Sequence, residues 1–135
     1  MNYRRARTTA LVLLFFLGLS ALPAGIFMVI DPMGEGMGLP LELLDHTPFS
    51  DFLIPGIILG LFNGILSLLF AVLLIRKHRF HIGMVMFQGA VLIIWLTTEL
   101  IMGIWYPLLT IPYYLVALLL LASGVRMRQS KTGLS

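Results

Sequence analysis

Residues 31–56 read DPMGEGMGLPLELLDHTPFSDFLIPG, and their reading decides the fold. Five of the six acidic residues lie here: Asp31, Glu35, Glu42, Asp45 and Asp51. Pro32, Gly34, Gly36, Gly38 and Pro40 break any regular element at the start of the stretch. On either side the chain is almost purely apolar. An acidic, irregular interruption between two long hydrophobic runs is a loop outside a membrane, and the runs are membrane-crossing helices.

The whole composition agrees. Of 135 residues, 59% are hydrophobic and 11% charged, with a mean hydropathy of +1.01, far outside the usual range for soluble domains. Several runs approach the roughly 20 apolar residues a helix needs to cross the hydrocarbon layer. They are continuous rather than alternating, which excludes lipid-facing barrel strands. The chain has no cysteine, so disulfides, thiol chemistry and thiolate metal sites are excluded.

The sequence predicts an all-α membrane protein: one transmembrane domain over residues 1–135, a four-helix bundle with helices at about 8–30, 50–75, 82–104 and 107–126. The first run follows Arg4, Arg5 and Arg7 and resembles a signal peptide as far as Ala24. It continues through Ile30 to full spanning length, so an uncleaved helix is expected. Pro40 suits a first helical position, which predicts a short interfacial helix at about 39–44 in a structured outer loop. Thr47 or Ser50 offers an N-cap for the second helix, and Pro55 a bend. Pro112 offers a kink near the start of the fourth.

Charge sets the orientation. All nine Lys and Arg flank the same ends: Arg4, Arg5 and Arg7; Arg76, Lys77 and Arg79; Arg126, Arg128 and Lys131. The opposite loops contain none. By the positive-inside rule both termini are expected in the cytoplasm. Phe49, Phe52, Trp105, Tyr106, Tyr113 and Tyr114 gather at the outer boundary as an aromatic belt. The same topology accounts for the net charge of +3 without a nucleic-acid partner.

Glu99 is the one ionisable residue inside a predicted span. At 1.5 Å per residue it lies roughly 26 Å from the cytoplasmic boundary, near the outer edge of the hydrocarbon. A carboxylate there can be a transport site, an anchor on the N-terminal amides of the second helix around Asp51 to Gly56, or simply exposed. Gly56, Gly60 and Gly64 recur at every fourth position and give that helix a smooth face, with Asn63 beside it. The face can receive the first helix, whose Gly18, Ala21 and Gly25 match it, or another protomer. Asn63 is expected level with Ser20, and Gln88 with Ser67. Met28, Met33 and Met37, with Asp31 and His46, are candidates for a soft metal site, although Met is also a common apolar filler. No catalytic motif occurs, and no cofactor is expected.

The run Asp31-Pro32-x-Gly34, then Gly38-Leu39-Pro40, then Pro48-Phe49-x-Asp51-Phe52-Leu53-Ile54-Pro55-Gly56, with Asn63-Gly64 and Glu99 later, resembles a family of small uncharacterised bacterial four-helix membrane proteins. The resemblance covers nearly the whole chain. It implies the same fold and a bacterial inner membrane, makes the outer loop a family signature, and carries no activity.

Three functions remain open on the sequence. The first is a non-enzymatic accessory or scaffold subunit that uses the glycine face and outer loop toward a membrane-protein partner or a second copy. The second is a small transporter or channel using Glu99. Small multidrug-type transporters are similar in size and have a lone membrane Glu, but theirs lies deeper and their loop charges are balanced. The third is a lipid-modifying enzyme with Asp31, Asp51 or Glu99 as acid or base, which needs two carboxylates converging on one pocket.

Overall fold

The computed structural model describes residues 2–35, 41–45, 47–77, 79–101 and 107–131. Among them are four helices long and apolar enough to cross a membrane, and the chain is an integral membrane protein of the all-α class. We number them α1 (Tyr3–Ile30), α2 (Leu53–Ile75), α3 (His81–Ile101) and α4 (Pro107–Lys131). Leu41–Leu44 form one 3-10 turn in the loop before α2.

The helix ends differ from the sequence expectation for local reasons. α1 begins at Tyr3 rather than near Thr8, because the Asn2 side chain accepts the Arg5 N–H at 2.9 Å and caps it. Neither Thr47 nor Ser50 caps α2. The Thr47 hydroxyl donates to the Leu44 carbonyl at 2.9 Å and accepts the Phe49 N–H at 3.2 Å, so it closes the preceding turn. α2 starts at Leu53, whose N–H is taken by Asp51 Oδ1 at 3.0 Å. Pro55 then falls in the first turn, where a missing N–H goes unused. The irregularity of α2 lies further on, where Leu59–Ile65 is a π-helix. The Leu66 N–H there bonds to the Leu61 carbonyl, five residues back. α4 runs past Arg126 and Arg128 to Lys131.

Lipid is the solvent for this bundle, so large apolar side chains point outward. Leu19, Ile30, Ile94 and Leu108 are more than 60% exposed in the isolated chain, whereas Asn63, Ser67 and Gln88 are fully buried. Without a hydrophobic drive between helices, close backbone approach holds such bundles together. The glycine face of α2 supplies it. A Cβ on Gly25 would lie 2.6 Å from Gly60 Cα, and one on Gly64 would lie 2.8 Å from Leu22 Cα. α1 therefore occupies the Gly56, Gly60 and Gly64 face along its length.

Around the bundle the neighbours run α2, α1, α4, α3. α3 packs most extensively on α4, where Gly89 meets Ala117 and Leu121. Among the described residues its contact with α2 runs along Leu66–Ile75, weakens along the π segment and is slight at most along Leu53–Ile58. Phe70 and Phe87 meet edge to face across that contact, with ring centroids 6.1 Å apart. α2 and α3 thus close at the end where the basic residues lie and splay toward the acidic end. α1 and α3 are diagonal and touch through Tyr3 and His81, whose Oη and Nε2 are 2.6 Å apart.

At the basic end Arg7 donates to the Leu74 and Ile75 carbonyls at 3.1 and 3.2 Å. This caps the C-terminus of α2 with a cation, the favourable sign for the helix dipole. The chain then turns at Lys77, which is left-handed at φ 53. At the acidic end the Phe52 N–H donates to the Pro32 carbonyl at 2.8 Å, tying the start of α2 to the end of α1. Leu44 and Phe52 are buried under that tie, so the described part of the outer loop is structured.

Candidate functional site

The site grows from the π segment. A π-helix is rare and marks functional positions more often than chance, because its widened turn disrupts the ordinary ladder of backbone bonds. Here the poor helix formers Gly60, Asn63 and Gly64 sit together in mid-span. Gln88 on α3 reaches across, and its Nε2 donates to the Phe62 carbonyl at 3.1 Å and, at 3.5 Å, to Asn63 Oδ1. Those two bonds fix both amide orientations. They leave Asn63 Nδ2, Gln88 Oε1 and the Ser67 hydroxyl, one turn along α2 from Asn63, without a protein partner. Each such buried polar group costs about 1–3 kcal/mol if it stays unsatisfied. The α2–α3 seam therefore holds a cluster of buried polar side chains in mid-span, with Asn63 and Gln88 in contact and Ser67 one turn away.

The pairing differs from the sequence expectation. Asn63 does lie near the depth of Ser20, since its neighbour Gly64 sits between Gly18 and Leu22, but the two are not paired. Ser20 instead accepts a hydrogen bond from the Tyr113 hydroxyl at 2.7 Å, across α1 and α4. Gln88 bonds to Asn63 and the Phe62 carbonyl rather than to Ser67.

Trp95 and Glu99 follow Gln88 on one face of α3, at seven and eleven residues on. That face continues from the closed half of the α2–α3 seam into the splayed half. Glu99 is half-buried, and its hydrogen-bond partner is Trp95, one turn earlier on its own helix. Among the described residues no hydrogen bond is seen between Glu99 and the start of α2. Asp51 accepts the Leu53 N–H, and α3 packs on Leu53–Ile58 slightly at most.

Asp31 and Asp51 are brought near one another, since each precedes a residue of the Pro32–Phe52 backbone tie. Glu99 does not join them, and among the described residues no three of His, Asp and Glu gather as a metal site would need. Of the thioether candidates, Met28 packs against Gly56 and Met33 is exposed. Met37 and His46 lie outside the described residues. Sequence reasoning missed the π segment, the Arg7 clamp and the Tyr3–His81 contact. The clustering of Gly60, Asn63 and Gly64 was the one available signal for the first. Compared with protein-family models, curated proteins and solved structures, the chain matches none.

Proposed function

We propose that the chain is a non-enzymatic accessory subunit of a bacterial inner-membrane assembly, inserted with both termini in the cytoplasm, which receives a partner's transmembrane helix along its α2–α3 side. The observation that carries this reading is the splay of the seam. α1 packs on the glycine face, α3 and α4 are packed together, and packing between α2 and α3 thins toward the acidic end, so that side is taken as the receiving one in preference to the apolar groove over Gly25, Gly56 and Gly60, which carries no polar handle. One more helix fits a groove between two diverging helices by ordinary ridge-and-groove packing. Trp95 and Glu99 along the open half supply a large ring and a polar handle for recognition. The one-sided distribution of basic residues supports the orientation, and the loop motif resemblance supports the compartment.

A photo-activated cross-linker placed at Phe62, beside the seam, tests the reading in native membranes. Val12, on the lipid face of α1, is the control. A discrete protein adduct from position 62 and none from position 12 is expected. Lipid adducts alone from both positions would remove the subunit reading.

A second reading, a small transporter or channel, is favoured by one observation: the Glu99 carboxyl and the neutral polar groups at Gln88 and Asn63 lie along the same seam. Proteoliposomes decide it. Loss of a pH-dependent flux on Glu99→Gln supports the transporter, and an unchanged flux rejects it.

A further inference from the structure

We infer that the turn joining α2 to α3, together with Arg4 of α1, binds the headgroup of an anionic phospholipid whose acyl chains lie on the outer ridge of α2. Arg76, Lys77 and Arg79 follow one another round this turn, and all three are exposed. Arg4 is exposed as well, and the bundle carries it to the same place. It shares a face of α1 with Gly18 and Leu22, fourteen and eighteen residues on, and both of these pack on Gly64 of α2. One turn after Arg4, Arg7 bonds to the Leu74 and Ile75 carbonyls at 3.1 and 3.2 Å and pins α1 beside the end of α2. Arg7 thereby answers the dipole of α2, which leaves the four exposed cations for a ligand.

Charge and shape select the same guest. No Asp or Glu belongs to the basic end: Asp31, Glu35, Glu42, Asp45 and Asp51 lie in the opposite loop and Glu99 near the opposite end of α3. Cations clustered at the end of a span without a counter-ion of their own attract anionic headgroups. Below Arg76 the outer side of α2 is apolar. Ile65, Leu69 and Val72 are exposed and lead to Arg76 in steps of four, three and four residues, which is one helical ridge. Phe80 is exposed beside it, and the Arg79 guanidinium lies over the Phe80 ring at 4.7 Å from the centroid. A phospholipid has this same order, phosphate above hydrocarbon, whereas a soluble phosphate would use the cations alone. The basic end of α4 differs, since Arg126 donates to Gln129 of its own helix at 3.5 Å. The site stands whichever leaflet faces the basic end, so it depends neither on the orientation nor on a docked partner.

The test is native mass spectrometry of the full chain released from nanodiscs of equal parts phosphatidylglycerol and phosphatidylcholine. Retained phosphatidylglycerol should exceed phosphatidylcholine by about fivefold or more, the effect of roughly one basic side chain at an anionic surface. Equal retention overturns the proposal. Two variants that lose the same charge locate the site. Arg76→Gln with Lys77→Gln and Arg79→Gln should bring the ratio to about one, whereas Arg5→Gln with Arg126→Gln and Arg128→Gln should keep most of it. An unchanged ratio in the first variant, or equal losses in both, overturns the site. If the first variant does not fold, Arg79→Gln alone replaces it and should lower the ratio by about half or more; an unchanged ratio then overturns the site. Millimolar glycerol phosphate should leave the bound lipid in place, and displacement by it would overturn the role of the apolar ridge.

Discussion

α2 has two neighbours and treats them oppositely. Toward α1 it presents glycine, and the two backbones come so close that a single methyl group at Gly25 would overlap Gly60. Toward α3 it presents a π segment and amides, touches over half its length, and leaves polar atoms unpaired. Without a hydrophobic drive in lipid, stability follows from close van der Waals packing, and the α1–α2 contact has it. The α2–α3 contact has less packing and more chemistry. One helix therefore presents a fixed, close-packed wall on one side and a looser, yielding one on the other, and the proposed function uses the yielding side.

The sharpest way to break this contrast is to add volume to the fixed wall. Gly25→Ala places its Cβ 2.6 Å from backbone atoms of Gly60, which have no rotamer with which to move aside. A loss of about 3 kcal/mol is expected, at the upper end of overpacking effects. Gly83→Ala is the control. Nothing lies within 4 Å of its added methyl, so stability should hold or rise by up to about 1 kcal/mol from helix propensity. Steric trapping in bicelles reads both.

Next in size is Gln88→Leu, which deprives the Phe62 carbonyl and Asn63 Oδ1 of their donor. It should cost about 1–2 kcal/mol by the same method. Adding Asn63→Leu should cost less than the sum, because the second change removes an already orphaned group. A loss from Gln88→Leu larger than that from Gly25→Ala would invert the comparison.

Arg7→Met removes the clamp on the Leu74 and Ile75 carbonyls, which pins α2 to α1 at the basic end. About 1 kcal/mol is expected from the lost charge at a helix C-terminus, read as a lower melting temperature in detergent. The smallest effect should come from Tyr113→Phe, which removes the bond to Ser20 between α1 and α4. Interhelical hydrogen bonds in membranes average about 0.6 kcal/mol, so thermal melting should barely register it.

How much of this could be read from sequence depends on the physics involved. Spans follow from the cost of placing polar backbone or charge in hydrocarbon, and that cost is local to each segment. The four helices were therefore legible, as was the break from Asp31 to Phe52. The Gly56, Gly60 and Gly64 stripe was legible as a close-packing face, but which of two partners would fill it was not. That choice depends on how α1 crosses α2. The Asn2 cap and the Asp51 bond to the Leu53 N–H each turn on one side-chain bond among several available donors and acceptors. Glu99 was correctly placed near the acidic end of α3, yet its partner was not, because the splay of α3 from Leu53–Ile58 is a property of the whole bundle. The pairing of Gln88 with Asn63 was missed for a related reason. Depth counted at a fixed rise ignores both the π segment and the reach of a glutamine.

The most direct measurement compares the two walls at the end where they differ. The chain has no cysteine, so spin labels go in without removing any native residue. One pair spans α1 and α2 at Ile30 and Ile57, and the other spans α2 and α3 at Ile54 and Ile101; all four are exposed near the acidic end. Pulsed electron resonance in nanodiscs should give a narrow distance distribution for the first pair and a clearly broader one for the second. Equal widths, or a broader distribution between α1 and α2, would contradict the division of α2 into a fixed and a yielding side.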